Sequence, residues 1–314
     1  MNERLLITPR SLTQGGDLSA VPELAPLLDR GYELVSGPAG CVPTEAELTE
    51  LLEEGVVGWL AGIEKVPASV LEAAGSLRAI ARNGTGADAI DLDAAKARGI
   101  AVLTAPGANA QGVAELALTL GLAALRDVVR SDRSIRTGGW HRTRGRELAD
   151  IRVGVVGYGA IGRKVADLFS AVGAQVTFFD LFVTGATAHH RAETLSEMAA
   201  VSDLITLHVP PKADGTPLID ARFLEDVVPG TVLVNTARSG LVASDAVADA
   251  LDAGVLSAYA VDAFDSEPPA RDRLILHERT ILTAHIGGFT DASVRRATDA
   301  AVINLLTALS SEGQ

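Results

Sequence analysis

Three side chains of complementary chemistry follow or end predicted strands in the second half of the chain: Arg238, Glu267 and His285. The carboxyl ends of parallel strands face the ligand crevice of an open α/β sheet. An arginine there can hold a carboxylate through paired hydrogen bonds, and a carboxylate beside an imidazole favours its protonated form. Arg238 alone is equally compatible with a surface arginine near a helix start, and His285 alone is more typical of a core histidine. Together they predict a site that binds an anion and transfers a proton.

A glycine-rich string, Gly157-Tyr158-Gly159-Ala160-Ile161-Gly162, follows a predicted strand and begins an amphipathic helix. The next strand ends at Asp180, 18 residues after Gly162, close to the spacing of a ribose-binding carboxylate. Gly157 permits the tight turn, Gly159 lets the backbone approach a pyrophosphate, and Gly162 allows the helix to pack closely on the strand. The pattern favours a dinucleotide site over a glycine-rich turn that binds nothing.

The elements that position these residues alternate between short β-branched runs and helical patterns, which is typical of parallel α/β proteins. The strands are predicted at 4–8, 56–61, 77–82, 100–104, 152–156, 175–179, 204–209, 231–236, 257–261 and 280–285. Thr44 and Glu47 form a capping box at the start of one helix, and Gly55 lies at its expected left-handed end. A single long helix is predicted over 111–136, and the final helix, Asp291 to Leu309, is expected to pack back on the first domain.

The predicted fold class is α/β, with two doubly wound parallel-sheet domains, the second a Rossmann domain inserted into the first. Residues 1–107 and 287–314 are expected to form a flavodoxin-like substrate-binding domain. Residues 108–286 are expected to form the dinucleotide-binding domain.

Composition narrows the classes of partner. The 314 residues include 27 basic and 40 acidic side chains, so the net charge of −13 disfavours nucleic acid and anionic membranes. No run reaches the length of a membrane span, and the short, acidic start resembles no signal peptide, so a cytoplasmic protein is expected. Cys41 is the only cysteine, which excludes an intrachain disulfide. His189 and His190 are expected in a solvated loop, and no metal site is expected.

Several motifs together resemble the NAD-dependent D-2-hydroxyacid dehydrogenase family, within which the phosphoglycerate-dehydrogenase-like branch is nearest. The resemblance covers almost the whole chain. The motifs that carry it are Val156-Gly157-Tyr158-Gly159-Ala160-Ile161-Gly162, Leu207-His208-Val209-Pro210, Asn235-Thr236-Ala237-Arg238-Ser239-Gly240, Val261-Asp262-Ala263-Phe264, Glu267-Pro268-Pro269, His285-Ile286-Gly287 and Asn83-Gly84-Thr85-Gly86.

The resemblance implies hydride transfer between NAD(H) and C2 of a small 2-hydroxy or 2-keto acid, D-specific, with phosphoglycerate-, hydroxypyruvate- or glyoxylate-like substrates favoured. It implies that His285 is the acid-base, that Glu267 is its partner, and that Arg238 and the backbone amides of Asn83 and Gly84 bind the substrate carboxylate. It also implies a homodimer formed through helix 111–136. The cofactor-binding residues it implies are Thr85, Gly157, Tyr158, Gly159, Ala160, Ile161, Gly162, Asp180, Val209, Thr236, Ala237, Asp262 and Gly287.

The sequence departs from the family pattern at three positions. Ser239 stands where glycine is usual and Ala284 where proline is usual, both small replacements. Ala61 ends a strand where phosphoglycerate dehydrogenases often carry a basic residue for the substrate phosphate. Arg10, at the end of the first strand, is a candidate for a cation in its place, and a solvated loop arginine is the alternative.

Other functions remain as alternatives. The same scaffold occurs in NAD-sensing adaptors without enzymatic activity and in formate or phosphite dehydrogenases. Formate enzymes of the family characteristically lack a glutamate at the position of Glu267, which argues against formate. A methyltransferase would share the glycine-rich turn but would leave Arg238, Glu267 and His285 without a role.

Overall fold

The computed structural model describes residues 3–53 and 55–310. The chain divides into two compact units. Residues up to 109 and from 291 onward form unit 1, and residues 110–290 form unit 2. The predicted boundaries were 107/108 and 286/287, so the division falls two and four residues later along the chain.

Unit 1 is built on a five-stranded, all-parallel sheet of order β2-β1-β3-β4-β5. Its strands are β1 Arg4–Ile7, β2 Glu33–Ser36, β3 Val56–Ala61, β4 Ala79–Arg82 and β5 Ala101–Leu103. Its helices are α1 Arg10–Thr13, α2 Ala25–Asp29, α3 Glu45–Glu53, α4 Ala68–Ala73, α5 Leu92–Ala97 and the C-terminal α13 Asp291–Ser310. Ala301, Val302 and Leu305 of α13 are buried against Leu5 and Leu60 of the sheet. This confirms the prediction that the last helix packs on the first domain.

Unit 2 is built on a seven-stranded, all-parallel sheet of order β12-β11-β10-β9-β6-β7-β8. Its strands are β6 Arg152–Val156, β7 Gln175–Phe179, β8 His190–Arg191, β9 Leu204–Leu207, β10 Thr231–Asn235, β11 Leu256–Val261 and β12 Thr280–Leu282. Its helices are α6 Ala110–Leu125, α7 Val128–Arg136, α8 Ala160–Ala171, α9 Leu195–Ala199, α10 Ala221–Glu225, α11 Ser244–Asp252 and α12 Arg273–Leu276. Separate apolar clusters cover the two faces of the sheet.

Both sheets therefore have the doubly wound architecture that the sequence predicts. Unit 1 has the flavodoxin-like strand order, and unit 2 has a Rossmann-like strand order. The predicted capping box is confirmed: the Thr44 amide donates to Glu47 Oε2 at 2.7 Å, and the Glu47 amide donates to Thr44 Oγ1 at 3.3 Å. Gly55 has φ +78°, as expected for a left-handed end of α3.

The prediction of one helix over 111–136 is wrong. The helix breaks between α6 and α7, where Asp127 adopts a left-handed conformation with φ +51°. The Asp127 carboxylate lies 2.8 Å from His141 Nε2 and 3.6 Å from Arg130, contacts that stabilise the break. Helical periodicity alone could not show this, because the contact with His141 involves a residue outside the repeat.

Strand predictions differ from the structure in extent. The sequence pattern did not predict β2 or the two-residue β8. Strand β12 ends at Leu282, so His285 lies in the loop after the strand. Strands β2 and β8 both lie at an edge of their sheet and pair on one side only. Edge strands bury fewer residues, so their sequences have a weaker hydrophobic pattern. Among the described residues, no helix has the length and apolar character needed to cross a bilayer.

Candidate active site

His285 and Glu267 form a hydrogen-bonded pair at the carboxyl edge of the unit 2 sheet. His285 Nδ1 lies 2.6 Å from Glu267 Oε1, and both side chains are about half exposed. A carboxylate is an acceptor, so this bond places a proton on Nδ1 and leaves Nε2 for a ligand. The predicted pairing of acid-base and partner is present in the geometry.

The backbone of His285 is held in an unusual conformation. His285 has φ +52°, one of two positive values among the described non-glycine residues. Buried Asp262 fixes this loop, because its Oδ1 accepts the Ile286 amide at 2.8 Å and the Thr283 hydroxyl at 2.6 Å, and its Oδ2 accepts the Gly287 amide at 2.8 Å. Strained backbone that its surroundings hold in this way is common at functional sites.

Arg238 lies directly after β10, at the start of a short 3₁₀ turn, and is half-buried. The Asn235 side chain positions this loop by donating to the Arg238 carbonyl at 2.8 Å and by accepting the Ala237 amide at 3.1 Å. The Ser239 hydroxyl donates a short hydrogen bond to Asp265 Oδ1. Ser239, one of the departures from the family pattern, thus connects the arginine loop to the loop that carries Glu267.

The glycine-rich turn joins β6 to α8 in the predicted way. Gly157 has φ +91°, and a Cβ there would come within 2.5 Å of the His208 carbonyl oxygen. A Cβ on Gly162 would collide with the Gly157 carbonyl oxygen. Gly159, by contrast, faces open space, and no side chain caps the N-terminus of α8 that begins beside it. An uncapped helix N-terminus beside accessible backbone is suited to a phosphate group.

Asp180 follows β7, and its carboxylate is fixed by backbone amides. Oδ2 accepts the Tyr158 amide at 2.7 Å, and Oδ1 accepts those of Phe182 and Val183 at 2.8 and 3.0 Å. Burial works to raise the pKa of Asp180, but these hydrogen bonds outweigh it and hold the pKa below its ordinary value. The side chain is therefore an anion at the strand end where a ribose would lie.

Two buried polar atoms at the carboxyl ends of adjacent strands β9 and β10 have no hydrogen-bond partner among the described residues: His208 Nδ1 and Thr236 Oγ1. The other ring nitrogen of His208 lies 2.8 Å from Thr206 Oγ1. Burial lowers the pKa of His208 to about 3, so the ring is neutral. Polar groups buried without a partner are rare, and a polar ligand at this edge would give both atoms a hydrogen-bond partner.

His189 does not lie in a solvated loop as the sequence analysis expected. Its ring is largely buried, and Nδ1 lies 2.9 Å from the Tyr158 hydroxyl. The Tyr158 ring stacks on Phe178 with centroids 3.8 Å apart. The signal that could have indicated this contact is the aromatic residue inside the glycine string, which needs a partner beneath the turn.

The remaining residues predicted to bind the cofactor lie around the same edge of unit 2. Ala160 and Ile161 begin α8, Val209 follows β9 beside Gly157, Ala237 precedes Arg238, and Gly287 packs on Asp262. Thr85 lies in unit 1, in the loop after β4.

Asn83 and Gly84 also lie in this unit 1 loop, but their amides are already used. The Asn83 amide donates to the Ala61 carbonyl at 2.9 Å, and the Gly84 amide donates to the Arg82 carbonyl at 2.8 Å. The implied role of these two amides as carboxylate ligands is thus not available in this conformation. Among the described residues, the amides of Thr85 and Gly86 in the same loop make no such bond.

Comparison with known proteins identifies the family. Residues 118–287, more than half of the chain, match the family model described as D-isomer specific 2-hydroxyacid dehydrogenase, NAD binding domain. The chain is similar to D-3-phosphoglycerate dehydrogenase of Mycobacterium tuberculosis, with 40 % identity over 242 residues, 75 % of this chain and 46 % of the relative. It is also similar to hydroxypyruvate reductase of Thermotoga maritima, with 34 % identity over 255 residues, 80 % of this chain and 83 % of the relative.

The chain spans about half the length of the phosphoglycerate dehydrogenases it matches. Among solved structures, the TT0316 protein from Thermus thermophilus is similar over 98 % of this chain and 97 % of its own, with a TM-score of 0.85 and 31 % identity. These matches confirm the resemblance drawn from the motifs and the predicted fold class. The chain belongs to the D-isomer-specific 2-hydroxyacid dehydrogenase family.

Proposed function

We propose that this protein is an NAD-dependent oxidoreductase that interconverts a small 2-keto acid and the corresponding D-2-hydroxy acid. The observation that carries the proposal is the 2.6 Å contact between His285 and Glu267 at the carboxyl edge of the NAD-binding domain of this family. An imidazole paired with a carboxylate is a general acid suited to neutral pH. Phosphoglycerate-, hydroxypyruvate- and glyoxylate-like acids are the proposed substrates, since two of these chemistries are named in its relatives.

In the reductive direction, the side chains have separate tasks. Arg238 holds the substrate carboxylate by paired hydrogen bonds. His285 gives the proton on Nε2 to the C2 oxygen, and Glu267 stabilises the charged ring while Asp262 holds its loop. The nicotinamide, when bound, supplies the hydride that adds to C2. In the oxidative direction, His285 takes the proton from the C2 hydroxyl.

The residues of the glycine-rich turn are proposed to hold the dinucleotide. The uncapped α8 N-terminus and the open face of Gly159 bind the pyrophosphate, and Asp180 Oδ2 keeps an acceptor site for a ribose hydroxyl. Thr236 Oγ1 and His208 Nδ1 gain partners from the bound molecule. A 2′-phosphate beside Asp180 would meet a like charge, so NAD is preferred over NADP.

The direct test is turnover with purified protein. NADH oxidation is followed with glyoxylate, hydroxypyruvate, pyruvate, phenylpyruvate and 3-phosphohydroxypyruvate, and the stereochemistry of the product is determined. We expect at least one keto acid to be reduced to the D-hydroxy acid. Absence of turnover on the whole panel, with NADH still bound, would contradict the proposal and support an NAD-sensing adaptor.

We also propose a homodimer that acts in the cytoplasm. No residue of α7 is buried, and Val128, Ile135 and Trp140 are each more than half exposed, in and just after the segment the sequence analysis assigned to the dimer contact. Sedimentation equilibrium should give twice the chain mass, and Ile135→Asp combined with Trp140→Asp should give the monomer. A wild-type monomer at micromolar concentration would contradict the homodimer.

A further inference from the structure

Unit 2 contains a cavity at the edge of its sheet that lies opposite the candidate active site. The cavity has a volume of about 330 Å³. Its lining includes Gly230, Ser257 and Thr280, which lie at the amino ends of the neighbouring strands β10, β11 and β12. The candidate active site lies at the carboxyl ends of the same sheet. The cavity is therefore separate from the groups proposed to bind the dinucleotide and to transfer the proton.

The wall of this cavity is rich in arginine. Six of its lining residues are charged, four arginines and two carboxylates: Arg130, Arg144, Arg146, Arg279, Asp127 and Glu278. Residues 126–146 supply three of these arginines and hold seven of the 27 basic residues of the chain, against two acidic residues. The whole chain has a net charge of −13. A concave surface whose charge opposes that of the whole molecule concentrates anions.

Two of the arginines are held in place by backbone carbonyls. Arg146 donates to the Gly230 carbonyl at 2.9 Å, and Arg279 donates to the Leu251 carbonyl at 3.3 Å. Arginine carries five N–H donors, so these bonds leave further donors on each guanidinium. Side chains that are already positioned lose little conformational entropy when a ligand binds.

The other two arginines have weaker contacts with the protein. Arg144 is exposed and makes no hydrogen bond or ion pair with any described residue. Arg130 lies 3.6 Å from the Asp127 carboxylate and 3.4 Å from that of Glu278. Both distances are longer than a charge-assisted hydrogen bond of about 2.8 Å. Arg130 and Arg144 therefore keep donors for an anion in the cavity.

The rest of the cavity wall is largely apolar. Leu125, Ala258 and Ile281 belong to the buried cluster on this side of the sheet, and Ala124 and Val129 pack against that cluster. An apolar group placed against this wall is removed from water, which is favourable in proportion to the area that it buries. The lining thus suits a ligand that has an apolar part as well as negative charge.

The cavity does not use the apolar face of α7 that we propose for the dimer contact. Val128 and Ile135 are seven residues apart and share one face of this helix. Val129 and Arg130, which line the cavity, lie about 100° and 200° around the helix axis from Val128. The cavity and the proposed dimer contact therefore occupy different faces of α7.

We propose that this cavity binds a small phosphate monoester with an apolar substituent. The wall has two more arginines than carboxylates, and a phosphate monoester carries a matching charge of about −1.5 to −2 at pH 7. Guanidinium groups bind phosphate oxygens through paired hydrogen bonds, and the substituent lies against the apolar wall. This is a second ligand site, and it does not depend on the reaction proposed for the active site.

An NMR titration with phenyl phosphate tests the site, because the ring protons of this probe report binding. Saturating NADH is present, so that the dinucleotide site is filled. The Kd should be about 10 mM or lower, an affinity within reach of a ligand of this size. Absence of binding would overturn the proposal, and this is the result expected if a second copy of the chain fills the cavity.

Competition shows which parts of the probe matter. Inorganic phosphate should displace phenyl phosphate only at concentrations at least about threefold higher than its own Kd would require, because it lacks the apolar part. Phenylacetate should need at least about tenfold higher concentrations, because it carries a single negative charge. Displacement by either competitor at the same concentration as unlabelled phenyl phosphate would overturn the proposed ligand class.

Paired variants locate the site. Arg130→Gln combined with Arg144→Gln should raise the Kd for phenyl phosphate at least about tenfold, because hydrogen bonds to charged groups are the stronger ones. Arg133→Gln combined with Arg142→Gln removes the same charge from the same segment, at positions outside the cavity lining. This control should keep the Kd within about twofold, because water screens exposed charges. Equal weakening in both double variants would overturn the proposal.

Two single variants complete the test. Arg144→Gln leaves the ion pairs of Arg130 intact and should raise the Kd at least about threefold. Arg238→Ala should leave the Kd unchanged, because Arg238 lies at the carboxyl ends of the strands. An unchanged Kd in Arg144→Gln, or loss of binding in Arg238→Ala, would overturn the proposal, and the second result would assign the phosphate to the active site.

Discussion

At the scale of single residues, carboxylates in the candidate site accept hydrogen bonds from backbone amides and so hold the nearby loops in place. Asp262 accepts three bonds and holds the loop of His285, and Asp180 accepts three backbone amides at the proposed ribose site. Hydrogen bonds to an ionised acceptor are stronger than neutral ones. Each carboxylate is therefore held rigidly in one orientation at the edge of the sheet.

Asp180→Ala should change cofactor preference. The wild type is expected to favour NADH over NADPH in kcat/KM by at least about tenfold, since each 1.4 kcal/mol of like-charge repulsion is worth a factor of ten. The variant should narrow this gap, chiefly by lowering kcat/KM with NADH. Steady-state kinetics with both cofactors measure it, and a wild-type preference for NADPH would contradict the role of Asp180.

At the scale of elements, the glycine-rich turn shows how much the sequence can predict. The strand, turn and helix were predictable from the string Gly157 to Gly162 and its distance to Asp180. Each glycine in the string meets a local steric requirement, which the sequence alone reveals. The break between α6 and α7 was not predictable, since it depends on Asp127 contacting His141 fourteen residues later.

Two alanine substitutions in this turn should affect different properties: Gly162→Ala the stability of the fold, and Gly159→Ala the affinity for NADH. Gly162→Ala places a methyl group against the Gly157 carbonyl and should lower the free energy of unfolding by about 1–3 kcal/mol, as overpacked sites do. Gly159→Ala projects into open space and should change it by less than about 1 kcal/mol. The methyl group of Gly159→Ala should, however, raise the Kd for NADH at least about tenfold, because it blocks the approach of a pyrophosphate.

Urea denaturation and fluorescence titration with NADH measure the two effects. Equal loss of stability in both variants would contradict the steric account of Gly162. Unchanged NADH affinity in Gly159→Ala would contradict the placement of the pyrophosphate.

At the scale of the whole molecule, the chain forms two units with parallel sheets, and one of them is completed by the C-terminal helix. The strand alternation predicted this architecture because each strand and helix needs a buried apolar face. The strand ends and the edge strands β2 and β8 were predicted less well, since few buried contacts constrain them. Arg238, Glu267, His285 and Asp180 were predicted at the strand ends, whereas the buried atoms without a partner, His208 Nδ1 and Thr236 Oγ1, became visible only in three dimensions.

Acid should destabilise the fold through His208. Burial lowers its pKa in the folded protein to about 3, whereas the unfolded chain takes up this proton below about pH 6.5. The unfolded state thus binds more protons between these values, and stability falls as pH falls. Between pH 7 and pH 5, the free energy of unfolding should fall by about 2 kcal/mol.

Urea denaturation at both pH values checks this expectation. In His208→Gln, the difference in free energy of unfolding between pH 7 and pH 5 should largely disappear. In His190→Gln, which changes an exposed histidine of the same unit, this difference should remain. A His208→Gln variant with the same pH dependence as the wild type would show that other groups cause the acid sensitivity.

His285 is proposed to transfer the proton during reduction of a keto acid, and His285→Ala tests this role most directly. Turnover should fall by roughly 10² to 10⁴, the usual contribution of a general acid, while the Kd for NADH stays within about threefold. His277→Ala removes another histidine beside a carboxylate, Asp252 at 3.3 Å, and should leave kcat unchanged. Near-wild-type kcat in His285→Ala, with the best keto acid of the panel, would contradict the account.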